Sequence, residues 1–379
     1  MRVRWIIVFL CLTIASNLET IHADEQQTQG VITPVKVIVA RPVSKYGSAN
    51  LEDMWLLLVC ENYIHFRLQG VDGLSVVPVD VLSRFIKGYS EYREGMQPVT
   101  LDKYIDAAMK LSVTYIIYVQ CEYYKFGSEN QVNTGDDVNF FGKVQSIYGS
   151  EPIFVEAKQF PLKKLGFKLD LFISKVIENL KAEKTRANRK FLETKILIDD
   201  AKKIKTLGKY LASFNELGTD GAAQWDKAYG KYKKFIKDGS DMLLGYYAGA
   251  SVFESIKKYN EGAAFYYTIT DMMDSQFPRA YIEASRLYRL HKNYKQSLYI
   301  LETAPGIQSI EQDLKIEKAI VFKEMGNTVD AFYLASGVLE ESRNDIIVKT
   351  LLMQHGLYKE KYSPLDFAAP ADSGKDEEW

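Results

Sequence analysis

Apolar positions along the chain fall into three regimes. The first is one unbroken run, "IIVFLCLTIA", framed by the basic "MRVRW" and, after "IHA", a polar "DEQQTQ". The second, residues 34–183, mixes short β-branched runs with stretches at helical spacing. "VKVIVARPV" predicts a strand stopped by Pro42. "LEDMWLLLVCENYIHFRLQG" predicts a helix with acidic residues in its first turn and Gly70 at its end. "LSVVPVD" predicts a second strand, and "VDVLSRFIKG" and "TLDKYIDAAMKLS" two helices, the latter with Thr100 as N-cap. "VTYIIYVQCEYYKF" alternates Tyr115, Ile117, Val119 and Cys121 against Ile116, Tyr118, Gln120 and Glu122, the pattern of a strand. "DVNFFGKVQSIY" and "EPIFVEAKQFP" add a hairpin, and "GFKLDLFISKVIENLKAE" closes the unit as an amphipathic helix. The order β-α-β-α-α-β-β-β-α predicts an α+β domain, a mixed sheet with helices on one face.

In the third regime, residues 184–362, Val and Ile thin out, and Lys, Ala, Tyr and Leu recur at helical spacing. Small residues repeat there at a fixed interval. Gly262, Ser297 and Ala331 stand 35 and 34 residues apart, and so do Ala250, Ser285 and Ala319. Large residues keep the same register: Phe253, Tyr288 and Phe322, then Tyr246, Tyr281 and Lys315. A period of this length marks stacked helix pairs, none of which can bury its apolar face alone. "TLGKYL" with "WDKAYGKYKKF" reads as a degenerate earlier pair, and "NDIIVKTLLMQHGLY" as a terminal capping helix.

These columns resemble the tetratricopeptide repeat. The resemblance implies an all-α solenoid whose first helices line a concave groove for a protein partner. Carried over residue by residue, the groove positions are Arg279, Ile282, Arg286, Arg289 and Leu290. Tyr247, Ser251 and Glu254 flank them on one side, and Ile316, Ile320 and Lys323 on the other. Three arginines on one helix face would engage partner carboxylates bidentately, with Tyr and Ile giving apolar contact.

In the second regime "VIVARPV", "GLSVVPVDVLSRF", "MKLSVTYIIYV" and "VQSIYGSEPIF" resemble successive strands and helices of the TolB N-terminal-like family, which includes CsgG-type domains. That resemblance implies a docking or assembly module and not a catalyst. It also implies an alternative role, an accessory subunit of an oligomeric ring in envelope secretion.

The opening run is too short to span a membrane comfortably and has the layout of a secretory signal, 1–23, followed by a linker, 24–33. No later stretch approaches the ~20 apolar residues of a spanning helix. The expectation is an exported, periplasmic chain with no integral span once the signal is removed. The absence of any Asn-x-Ser/Thr sequon favours a bacterial source. Residues 363–379 read as a disordered acidic tail. With 48 Lys+Arg against 49 Asp+Glu, no global charge points to nucleic acid. An oxidising compartment permits a disulfide between Cys60 and Cys121; the alternative, two buried thiols behaving as small hydrophobes, is preferred.

Catalytic patterns are absent. There is no Gly-x-Ser-x-Gly, no His-Glu-x-x-His and no Gly-x-Gly-x-x-Gly, and "DDVNFFGKV" lacks P-loop spacing. His65, His291 and His355 lie far apart without partners at metal spacing and read as helix-surface or boundary residues. Asp199 and Asp200 point in different helix directions and read as a solvated face. No catalytic residue, metal or cofactor is assigned. The sequence reads as a non-enzymatic scaffold or adaptor of the bacterial envelope, with a hydrolase bearing an unrecognised site as the remote alternative.

Overall fold

Alternation along β1 (Val35–Val39) decides how the first half is built, because both of its faces are apolar. The computed structural model describes residues 34–44, 51–87, 99–125, 136–149, 151–180, 186–217, 222–238, 242–273, 276–306 and 310–359. The stretches read as a signal, a linker and an acidic tail lie outside the described residues. β1 sits in a five-stranded sheet with β2 (Leu74–Val76), β3 (Tyr115–Lys125), β4 (Asp136–Ser146) and β5 (Pro152–Pro161), in the order β2-β1-β3-β4-β5. β1 runs parallel to β2 and β3, while β3, β4 and β5 form an antiparallel meander. α1 (Leu51–Gln69) joins β1 to β2, and α2 (Val79–Phe85) and α3 (Leu101–Lys110) join β2 to β3. After β5 a short 3-10 turn leads into α4 (Leu165–Asn179). The element order read from the sequence is the one observed. Thr100 sits at the N-cap of α3, although its side chain makes no capping hydrogen bond.

The helices do not lie on one face. Val37 and Val39, with Ile117, Val119 and Cys121, pack toward α1 and α4. Ile38, Ala40 and Ile116 pack toward Val81, Leu82, Tyr104, Ala107 and Leu111 of α2 and α3. The reason is topological. The crossovers from β1 to β2 and from β2 back past β1 to β3 run in opposite directions along the sheet, and right-handed crossovers in opposite directions place their helices on opposite faces.

The second half comprises α5 (Arg186–Glu193), α6 (Ala201–Leu217), α7 (Ala222–Asp238), α8 (Leu243–Ser255), α9 (Tyr259–Met273), α10 (Arg279–Leu290) and α11 (Tyr294–Thr303). It ends with α12 (Glu311–Glu324), α13 (Thr328–Glu341) and α14 (Ile346–Gln354). α8/α9, α10/α11 and α12/α13 are antiparallel pairs, and the small-residue columns lie where their members cross. A Cβ on Gly262 would stand 3.2 Å from the Ala250 carbonyl oxygen. In the next pair the hydroxyls of Ser285 and Ser297 share a buried hydrogen bond of 2.7 Å, and in the third Ala319 and Ala331 are fully buried.

The turns repeat as well. Lys257, Lys292 and Gly326, at the same register, all have positive φ, 61°, 64° and 86°. The amide after each donates back to Phe253, Tyr288 and Phe322 at 2.7, 2.8 and 2.9 Å, so each first helix ends in a Schellman turn.

The halves share one core. α1 is apolar on nearly every side, from Met54 to Leu68, because it is clamped between the sheet and α6 and α8. Gly208 of α6 touches it so closely that a Cβ would lie 2.7 Å from the Trp55 carbonyl oxygen. Near the other end of α1, Arg67 is 1% exposed and grips Asp170 at 2.8 and 3.2 Å, and the carbonyls of Phe191 and Thr194 at 2.9 and 2.7 Å. Burial pushes the Asp170 carboxyl up, and Arg67 pulls it only part of the way back. At the far end of the array α14 returns to the sheet unit: Ile347 joins the core around α2 and α3, and Asp345 pairs with Lys36 at 2.8 Å.

Candidate functional site

The residues expected to line a groove do come together, but inside the molecule. Tyr247 is 5% exposed; its hydroxyl donates to Gln69 of α1 at 2.9 Å, and its ring meets Phe66 edge-on at 5.1 Å. Burial raises its phenol well above the ordinary range. Ile282, Ile316 and Ile320 are buried, the last two in a cluster with Val348 and Leu352 of α14. Ser251 is half-buried, and Leu290 lies at the exposed margin. Lys323 lays its ammonium over the Phe332 ring at 5.1 Å.

The arginines bolt α10 to its neighbours. Arg286 donates through both terminal nitrogens to the two oxygens of Glu254 on α8, each at 2.6 Å, and through Nε to Glu283 at 2.9 Å. Arg279 pairs with Glu283 at 3.0 Å and with Asp313 of α12. Arg289, 3% exposed, donates to Glu317 at 2.7 Å and Glu324 at 2.6 Å, both on α12. Burial alone would push the Glu283 carboxyl up, but Arg286 and Arg279 outweigh it and hold it below the ordinary range. At Glu317 burial prevails and the carboxyl sits above that range, although Arg289 pulls it down. The expectation that these arginines await partner carboxylates is corrected. The carboxylates are the chain's own, and of the flanking positions Tyr247 is covered by α1 and Ile316 and Ile320 by α14.

Sequence reasoning missed Glu283, Glu317, Glu324 and Asp313. A signal was present, since Glu283 and Glu317 stand 34 residues apart, at the repeat interval, and Glu283 lies within helical reach of Arg279 and Arg286.

Other polar candidates are also structural. His65 is buried on α1 and not at a surface; burial lowers its imidazole below the ordinary value of 6.5, with Glu61 opposing and Arg41 adding to the shift. His291 caps the C-terminus of α10, and His355 lies 3.9 Å from Glu324. Asp200 accepts from the Lys203 amide at 3.0 Å and starts α6, while Asp199 pairs with Lys195. Cys60 and Cys121 are buried thiols between α1 and β3, their sulfurs 3.4 Å apart, and no disulfide joins them.

What faces solvent is different in kind. On the outer side of α13 Val329, Phe332 and Tyr333 are 78%, 44% and 80% exposed, a stripe at i, i+3 and i+4, and Met325, at the end of α12, is 46% exposed. Among the described residues no helix is long and apolar enough to cross a membrane.

No protein-family model matches the chain, and no curated protein does. Among solved structures, the hypothetical protein CT253 from Chlamydia trachomatis is similar over 39% of this chain and 98% of its own, with 13% identity and a TM-score of 0.26. The geometry itself defines the class: a small mixed sheet with helices, continued by an array of helix pairs.

Proposed function

We propose that the chain is an exported, non-catalytic scaffold of the bacterial envelope, and that its protein partner docks on the outer face of α13. The exposed stripe of Val329, Phe332 and Tyr333 carries this reading, because apolar side chains aligned on one helix face fit the apolar face of another protein's helix. The secretory layout of residues 1–23 supports export. The TolB N-terminal-like and tetratricopeptide resemblances, both of docking modules, support a scaffold. The inner arginines serve as the joint that holds the repeats in register.

The test is affinity capture from envelope extracts with the mature chain and two variants. Phe332→Glu/Tyr333→Glu is expected to keep its far-ultraviolet circular dichroism and lose the partner. Arg286→Glu/Arg289→Glu is expected to lose cooperative unfolding itself. Equal recovery of every partner by wild type and the Phe332/Tyr333 variant would sink the proposal.

A further inference from the structure

The sheet ends in β5, and among the described residues no strand pairs with its outer edge. Sheet edges of this length are usually blunted, since their free N–H and C=O groups template pairing with another chain. β5 is ten residues long, with prolines only at its ends, Pro152 and Pro161. On its bare face Ile153 and Val155 are 42% and 46% exposed. On the face toward α4 it carries Phe154, Glu156, Lys158 and Phe160 in alternation.

Glu156 is the anomaly. It is 7% exposed on an otherwise open strand, paired with Lys158 on the same strand and 3.6 Å from Lys175 of α4. Its Oε2 is buried and accepts no hydrogen bond.

We infer that β5 is the interface for a second copy of this chain, pairing antiparallel with itself about Ala157 to give one continuous sheet. Residues facing each other across an antiparallel junction must share a face of the pleat, which restricts the registers to steps of two. Centred on Ala157, Glu156 of each copy lies opposite Lys158 of the other, and Phe154 opposite Phe160. Centring on Glu156 sets two carboxylates against each other, and centring on Lys158 sets two ammoniums against each other. Opposite charges and aromatic pairs across a junction stabilise it, and like charges directly opposite destabilise it. One register is therefore self-complementary, and in it a second Lys158 comes alongside the incompletely bonded Glu156. The pairing is closed, so it makes a dimer and not a ring. It does not depend on the scaffold role or on the α13 stripe.

Sedimentation velocity of the mature full-length chain over a concentration series tests it. Wild type is expected to be a dimer. Lys158→Glu, on an exposed side chain, is expected to weaken dimerisation about tenfold or more, because two attractive pairs become repulsive. The exchange Glu156→Lys/Lys158→Glu is expected to restore it. A monomeric wild type, or Lys158→Glu dimerising as tightly as wild type, would overturn the inference.

Discussion

The inner side of the helical array and the outer side of its last pair have opposite chemistry. Inside, where a core is ordinarily apolar, Arg279, Arg286 and Arg289 meet Glu254, Glu283, Glu317, Glu324 and Asp313. Outside, where solvent is met, Val329, Phe332 and Tyr333 stand largely uncovered. Charge, then, is turned inward here and apolar surface outward. The guanidiniums are taken up by neighbouring repeats, so they serve to register one repeat on the next. The uncovered aromatic and aliphatic groups are the surface on which the proposed docking rests.

The largest effect that would break this contrast is at Arg289. Arg289→Ala leaves Glu317 buried without its cation, and removing one partner of such a pair costs about 3–5 kcal/mol. Phe332→Ser on the outer side should change stability by no more than about 0.5 kcal/mol. Urea denaturation of both variants checks the pair. Similar losses from the two would erase the distinction between joint and contact surface.

Acid should act through buried groups, and three of them pull in different directions. An unfolded His65 takes up its proton near 6.5, whereas the buried one does so only at lower pH. Between those values the unfolded chain binds more protons, so stability falls as pH drops through that window. Glu283 contributes stability above its ordinary value of 4.5 and loses it as pH falls through its lowered folded value. Glu317 opposes it, because its raised carboxyl takes up a proton in the folded state first. Thermal melts from neutral to acidic pH should therefore show an early decline that His65→Gln removes. An unaltered early decline in that variant would assign it elsewhere.

The smallest effect concerns the turns and has the opposite sign. Lys292 holds a left-handed conformation that glycine adopts freely, so Lys292→Gly should stabilise the chain by about 1 kcal/mol. Gly326 already holds that place in the next pair. A lowered melting temperature would mean that the Lys292 side chain supports the turn in another way.

Element order and repeat register were legible because both depend on local periodicity. What covers a face was not, since spacing assigns a side chain to a face without naming its neighbour. The same gap explains the helices placed on one side of the sheet. In β1 and the residue after it, Ile38 and Ala40 are as apolar as Val37 and Val39, and so already required a second covering layer. A hint of the filled groove lay in α1, whose only polar interruptions around its middle, Glu61, Asn62 and His65, gave it no wet side. The positive-φ turns at Lys257 and Lys292 carry no glycine and left no trace.

The bridge from Lys36 to Asp345 ties the first strand to the last described helix. A free-standing repeat array frays from its termini, since each unit is held only by its neighbours. Here both termini are fastened to the same sheet, so unravelling has no loose end at which to begin. Pulled along its length, such a chain resists as a clasped bracelet does and not as a spring, and it yields only when the clasp opens.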